Sequence, residues 1–216
     1  MDKILNKNGK SILAAMVKGV QDNKAYLGEV DGLIGDGDHG MNMNKGFTLF
    51  ETRCLKDNDE VHFTEGLDEL GTILFSEIGG SMGPIYGTIL MDMASAGEDC
   101  EAIGTAELAK MLEAGLAGLQ EIVEAKVGDK TLVDTLSPAV DSLKESAKNN
   151  VPMKEALIAM QKAAKDGQQS TKDMVAKFGR SSRLGERSRG VLDAGATSCY
   201  IILEAMSNAM NEQISA

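Results

Sequence analysis

Apolar side chains recur at helical spacing along most of this 216-residue sequence. The clearest run begins at Leu108 and continues in steps of three and four residues to Val123, so its apolar side chains share one helix face. No stretch alternates apolar and polar residues with a period of two, so no β-strand is predicted. The apolar runs predict eight helices, over residues 9–22, 40–55, 63–78, 83–96, 105–126, 132–149, 152–176 and 195–211.

The connections between the predicted helices are short, and no Ser/Pro-rich linker interrupts the chain. Short loops make consecutive helices antiparallel neighbours. We therefore expect an all-α fold with a single domain over residues 1–216, built as an up-and-down antiparallel eight-helix barrel or bundle. In such a fold, alternate connections lie at the same end. The connections that follow the first, third, fifth and seventh helices should therefore meet at one end.

Composition argues against several classes of protein. The formal net charge of −11 disfavours nucleic-acid binding and binding to anionic membranes, because both select basic surfaces. No apolar run approaches the roughly 20 residues that span a bilayer, and the first residues lack a signal-peptide pattern. Cys54, Cys100 and Cys199 fit neither a zinc site nor a disulfide framework. We expect a cytoplasmic protein whose cysteines are buried apolar side chains without a catalytic role.

An acidic, glycine-rich segment covers residues 31–42. Asp31, Asp36 and Asp38 fall within eight residues and are separated largely by glycine. Clustered carboxylates repel one another, and Mg²⁺, which binds a few carboxylates together with substrate phosphates, relieves that repulsion. The segment has neither the terminal glutamate of an EF-hand nor the lysine of a P-loop. A solvated turn is the simpler alternative, but this density of carboxylates beside His39 favours a metal site.

Two predicted helix starts are suited to binding phosphate. The residues after Asp38 are predicted to open a helix, whose free N–H groups and dipole favour anions. The glycine-rich segment 79–88 places Pro84 in the first turn of the next helix and offers a second such start. For this second segment alone, a tight turn between helices is at least as good an interpretation.

Arginine is concentrated in one place. The chain has five arginines, and four of them lie between Arg180 and Arg189. The arginine fork binds phosphates and carboxylates with paired hydrogen bonds. Surface pairing with acids explains two or three of the four, so we expect at least one to face a phosphate. The connection from Gly128 to Asp134 would add a wall in which Leu132 contacts a base, and the whole set predicts a Mg-nucleotide site.

Several segments resemble, in order, the nucleotide-binding L subunit of dihydroxyacetone kinase. They are GDGDHGMNM at 35–43, GGSMGPIYGT at 79–88, GDKT at 128–131, GRSSRLGERS at 179–188 and DAGATS at 193–198. The resemblance covers nearly the whole chain, and its first and last motifs are specific together. It implies an eight-helix barrel that holds ADP, or ATP, and two Mg²⁺ at one end.

The resemblance also implies residue roles. The metal-binding residues would be Asp31, Asp36 and Asp38. The residues around the nucleotide would be His39, Gly40, Met41, Asn42, Ser81, Met82, Leu132, Arg180, Asp193, Ala194 and Gly195. Arg180 and His39 would also take part in phosphoryl transfer. Met82 stands where the family often has serine, which leaves only a backbone contact there, and Ala194 replaces a frequent proline.

Chain length separates the relatives that this family resemblance allows. The similar ATP-dependent dihydroxyacetone kinases and fatty acid kinases carry further domains, so the resemblance implies the free subunit of the bacterial phosphotransferase-dependent system. There, a phosphohistidine-donor M subunit phosphorylates bound ADP, and the γ-phosphoryl group passes to dihydroxyacetone on the K subunit. Two alternatives stay open: a nucleotide-loaded module that regulates a transcription factor, and a structural bundle that binds a metal incidentally.

Overall fold

The computed structural model describes residues 2–215 and is almost entirely helical. Two short strands, β1 (Ile4–Leu5) and β2 (Ala102–Ile103), pair antiparallel. The α-helices within the described residues are α1 (Lys10–Asp22), α2 (Lys24–Ile34), α3 (His39–Phe50), α4 (Phe63–Glu77), α5 (Met82–Gly97), α6 (Thr105–Ile122), α7 (Val133–Lys148), α8 (Met153–Ser170) and α9 (Ala194–Ser215).

Eight of these helices close a ring, which confirms the predicted all-α barrel. Helix α1 packs on α3, each following helix packs on the next along the chain, and α9 returns to α1. One continuous apolar cluster fills the ring, with Phe47, Phe50 and Phe63 fully buried. Burial of the apolar stripe of every helix drives this closure, because a helix stripe is stable only against another element. No helix within residues 2–215 has the length and apolar character needed to cross a membrane.

Helix α2 is the element that the sequence interpretation misses. Leu27, Val30 and Ile34 are buried along one face of it, at steps of three and four residues. This helix lies outside the ring and packs on α3 and α9. The connection between α2 and α3 therefore covers only residues 35–38, instead of the predicted 31–42. Asp31 belongs to the last turn of α2.

Several predicted boundaries also change. The helix predicted over 105–126 ends at Ile122, and the one predicted over 152–176 ends at Ser170, before a 3-10 turn. A five-residue π-helical turn, Glu51–Leu55, completes the helix predicted over 40–55. The two strands contradict the expectation of none, because two residues are too few for alternation to be visible. Cys199 is buried as predicted, whereas Cys54 and Cys100 are only half-buried; all three are free.

Pro138 lies inside α7 rather than in its first turn. A proline within a helix cannot donate to the carbonyl four residues earlier, which here belongs to Asp134. Gly167 of α8 packs against that carbonyl, because a Cβ at position 167 would lie 2.0 Å from the oxygen. The proline and the glycine thus allow α7 and α8 to approach closely beside the connection that precedes α7.

Candidate functional site

Four connections at one end of the barrel line a single cavity of about 900 Å³. They are the connections α2–α3, α4–α5, α6–α7 and the long one from α8 to α9, so the predicted convergence of alternate connections is confirmed. The cavity lining contains most of the predicted site residues: Asp31, Asp36, Asp38, His39, Asn42, Ser81, Met82, Leu132, Arg180, Asp193, Ala194 and Gly195.

The three aspartates form a compact cluster on one side of the cavity. One carboxylate oxygen from each of Asp31, Asp36 and Asp38 lies within 4.8 Å of the others. Gly37 between them has a φ of 78°, a backbone conformation that other residues rarely adopt. A Cβ at Gly35 would lie 2.3 Å from the Asp31 carboxylate, so a side chain there would displace the cluster. Hard carboxylate oxygens at this spacing fit the ligand preference of Mg²⁺.

Arg180 lies against the aspartate cluster, because the segment that begins at Arg180 contacts α2. Its guanidinium forms an ion pair with Asp36. The other arginines of the segment lie elsewhere: Arg183 and Arg187 are exposed, and Arg189 donates to Glu186 and to the Asp173 carbonyl. The expected arginine in the cavity is therefore Arg180, at the start of a 3-10 turn that continues to Ser188.

His39 opens α3 and is only 7% exposed. Its backbone N–H donates to the Asp31 carboxylate at 3.3 Å, while its Nε2 lies 2.8 Å from the Ser198 hydroxyl. The Tyr86 hydroxyl lies 2.6 Å from the same oxygen, so three buried side chains form a chain beneath the cavity. Burial lowers the pKa of His39 to about 4, against the opposing effect of Asp31. Sequence reasoning misses Ser198 and Tyr86, since only the closed ring brings α5 and α9 to α3.

Two of the predicted nucleotide residues do not line the cavity. Gly40 is buried against α2, where a Cβ would lie 2.0 Å from the Lys24 carbonyl oxygen. Met41 is 59% exposed on the outer side of α3. The first turn of α3 therefore presents His39 and Asn42 to the cavity, while Gly40 holds α2 against α3.

Part of the cavity lining is apolar, and it adjoins the start of α9, where Leu132 lies beside Gly195. Leu132, Ile122 and Phe178 line this part. Asp193 caps α9, because its carboxylate accepts a hydrogen bond from the Ala196 N–H at 2.8 Å. Burial raises the pKa of Asp193 to about 6, although the hydrogen bond from Ala196 opposes the shift. The cavity thus combines an acidic side and an apolar side, as a nucleotide requires.

The α6–α7 connection contains polar residues to which sequence reasoning assigns no role. The Asp134 carboxylate accepts hydrogen bonds from the N–H groups of Gly128 and Thr131, at 2.6 and 2.8 Å. Asp129 pairs with Lys177 at 2.6 Å, and that contact holds the pKa of the Asp129 carboxyl below its usual value. Lys130 is buried and lines the cavity wall. The glycine and the two aspartates in GDKTLVD were the available signal for an ordered loop.

Comparison with known proteins identifies close relatives. The DAK2 domain family matches residues 33–208. The ADP-binding subunit DhaL of PEP-dependent dihydroxyacetone kinase 1 from Listeria innocua is 36% identical over 187 residues, covering 87% of this chain and 88% of that protein. The ADP-binding subunit DhaL of the PEP-dependent dihydroxyacetone kinase from Escherichia coli is 38% identical over 189 residues, covering 87% and 89%.

A solved structure shares the fold. The dihydroxyacetone kinase of C. freundii superposes with a TM-score of 0.68 at 23% identity, over 92% of this chain and 34% of that chain. This chain therefore corresponds to about a third of that longer kinase chain. The family match and the two DhaL subunits each extend over most of the sequence, and the chain belongs to the DAK2 domain family.

Proposed function

We propose that this chain is the ADP-binding subunit of a phosphotransferase-dependent dihydroxyacetone kinase, in which a phosphohistidine-donor M subunit phosphorylates bound ADP and the γ-phosphoryl group passes to dihydroxyacetone on a K subunit. The single observation that carries the proposal is the cavity, where three carboxylates, two helix starts and Arg180 converge. Identity of 36–38% to DhaL subunits, over most of both chains, supports the same assignment.

The acidic side of the cavity would hold the metal ions. Asp31, Asp36 and Asp38 provide carboxylate oxygens that suit two Mg²⁺. When bound, these ions neutralise phosphate charge and orient the phosphates for transfer. Arg180 would exchange its pairing with Asp36 for a phosphate oxygen, and so stabilise charge on the group in transfer.

The helix starts would hold the phosphates. The N-terminus of α3 presents free N–H groups from Gly40 and Met41, and Asn42 lines the cavity beside them. Burial keeps the His39 imidazole neutral at pH 7, so its part in phosphoryl transfer would be orientation through hydrogen bonding. At the start of α5, Ser81 and Met82 would contact the nucleotide, Met82 through its backbone.

The apolar side would hold the nucleoside. Leu132 is 6% exposed and offers the base a rigid contact, because it lies at the start of α7. Asp193, Ala194 and Gly195 lie beside Leu132 at the start of α9, where they would contact the ribose and the phosphates.

The three free cysteines support a location of this protein in the reducing cytoplasm.

Reconstitution tests this function. The chain is mixed with K and M subunits and a source of phosphohistidine, and formation of dihydroxyacetone phosphate is measured. We expect turnover only when all subunits are present, without free ATP, and with Mg²⁺. Turnover that is unchanged when this chain is omitted would contradict the proposal. Binding of the chain to a transcription regulator, with no turnover, would favour the regulatory alternative.

A further inference from the structure

Lys130 is a buried lysine in the cavity wall whose ammonium has no task in the proposed function. Its side chain is 1% exposed, and its ammonium donates hydrogen bonds to the carbonyls of Thr171, at 2.5 Å, and Val191. Within residues 2–215, no carboxylate oxygen forms an ion pair with it. A buried ammonium costs free energy unless its hydrogen bonds are satisfied. Here two backbone carbonyls accept those hydrogen bonds and hold the side chain in place.

The two carbonyls lie at the two ends of one loop. Residues 171–193, which we call the arginine loop, connect α8 to α9. Thr171 directly follows α8 and Val191 shortly precedes α9, so the two ends of the loop meet at Lys130. Further hydrogen bonds join the same two ends: the Gly190 N–H donates to the Lys172 carbonyl at 2.7 Å, and the Asp193 N–H donates to the Thr171 hydroxyl at 3.0 Å. Lys130 fastens this closed stem to the α6–α7 connection.

Each of the three joined segments supplies part of the cavity wall. The α6–α7 connection supplies Leu132, the arginine loop supplies Arg180, and the start of α9 supplies the segment from Asp193 to Gly195. Their relative positions therefore depend on the contacts that join the arginine loop to the α6–α7 connection. These contacts are the hydrogen bonds of Lys130 and the pairing of Asp129 with Lys177.

The backbone of Lys130 supports a specific role for its side chain. Its φ is 62°, in the left-handed region that residues other than glycine rarely adopt. Glycine would remove this strain but would also remove the ammonium. A strained conformation of this kind persists only where surrounding contacts hold it, and such positions cluster at functional sites.

We propose that Lys130 is a positioning residue, whose ammonium ties both ends of the arginine loop to the α6–α7 connection and so preassembles the nucleotide site. This inference rests on the proposed function, because it concerns affinity for MgADP. The role is separate from ligand contact, since Lys130 acts through backbone carbonyls on residues that line the cavity.

The test compares Lys130→Met with a remote structural variant. Methionine keeps an apolar chain of similar length but removes the donors. Thr64→Val serves as the control, because it removes a buried hydrogen bond between Asn6 and Thr64 away from the residues that line the cavity. MgADP affinity is measured by calorimetry, unfolding temperature by calorimetric scan, and backbone hydrogen exchange without nucleotide.

We expect Lys130→Met to weaken MgADP binding by about 10- to 100-fold, as when supporting hydrogen bonds around a bound metal are removed. Exchange of the Gly190 and Asp193 amides should accelerate in the same variant. Thr64→Val should lower the unfolding temperature without changing affinity. Affinity within twofold of wild type in Lys130→Met would overturn the inference, as would weaker binding with unchanged exchange in the arginine loop.

If Lys130→Met does not fold, backbone hydrogen exchange of the wild-type protein tests the inference instead. Protection of the Gly190 and Asp193 amides without nucleotide supports the preassembled stem, and exchange at the rate of an exposed loop overturns it. Failure of wild-type protein to bind MgADP would instead contradict the proposed function, while the exchange measurement still reports on the stem.

Discussion

At the scale of single residues, the site combines groups from distant parts of the chain. Asp36 and Arg180 form an ion pair in the cavity wall, and His39 contacts Ser198. The acidic cluster is recognisable from sequence, because its members are close neighbours in the chain. The side chains that contact this cluster are not recognisable from sequence, because only the fold determines which distant side chains meet.

Asp36→Ala tests the metal assignment. MgADP at a hundred times its dissociation constant should stabilise wild-type protein by about 2.7 kcal/mol, which raises the unfolding temperature by roughly 5–10 °C. The variant should lose most of that rise, since one of three metal-binding carboxylates is absent. Asp57→Ala removes an exposed carboxylate elsewhere and should keep the full rise. A full rise in Asp36→Ala would refute the assignment.

Arg180→Ala tests whether this arginine acts on the transferring phosphoryl group. We expect the variant to retain ADP while phosphoryl transfer to dihydroxyacetone falls by about 10³-fold, since an arginine that stabilises transferring charge has effects of this size. Arg187→Ala is the matched control, because Arg187 is exposed and does not line the cavity. Loss of ADP in proportion to turnover would make Arg180 a binding residue only, and normal turnover would remove it from the site.

The lowered pKa of His39 predicts a pH dependence of stability. Between pH 6.5 and about 4 the unfolded chain binds a proton at His39 that the folded protein excludes. Stability should therefore fall as the pH falls through this window, by up to about 1.4 kcal/mol per pH unit from this group. His39→Gln should lose this part of the slope in denaturant titrations, and His62→Gln, at an exposed histidine, should keep it. Equal slopes in wild type and His39→Gln would contradict the prediction.

At the scale of elements, α2 shows the limits of sequence reasoning. Its apolar stripe is present at Leu27, Val30 and Ile34, but Asp31 and two glycines within the helix resemble a loop. The arginine loop shows the converse limit, since Arg180–Ser188 has no apolar periodicity, and Gly185 with a φ of 54° interrupts its 3-10 turns. Most long amphipathic helices were predicted to within a few residues because their buried faces are continuous, whereas α8 ends six residues before its predicted end.

Two glycine variants test the packing of α2 against α3. A Cβ at position 40 would lie 2.0 Å from the Lys24 carbonyl oxygen, so Gly40→Ala must push α2 away. We expect a loss of about 2–3 kcal/mol in the free energy of unfolding, together with weaker MgADP binding, because Asp31 moves with α2. Gly32→Ala meets its nearest atom at 3.8 Å and should be neutral or stabilising by up to about 1 kcal/mol. Equal unfolding free energies for the two variants would show that the close approach is absent in solution.

At the scale of the whole molecule, the closed ring explains why the candidate site residues lie at one end of the barrel. Each ring helix contacts the next along the chain, and closure of α9 on α1 brings the last motif beside the first. The convergence of four connections follows from topology and was therefore predictable. The single-domain boundary over residues 1–216 stays a prediction, as do the two Mg²⁺ and the K and M partners.

The most direct test of the proposed function is mass analysis of the small molecules released when the purified protein is denatured. The proposed function predicts ADP at close to one molecule per chain, retained through purification in buffer containing Mg²⁺ and lost when Mg²⁺ is chelated. Asp36→Ala, purified in the same way, should release little. Absence of nucleotide from the wild-type protein, together with no binding when MgADP is added, would contradict the assignment of this chain as a nucleotide-carrying kinase subunit.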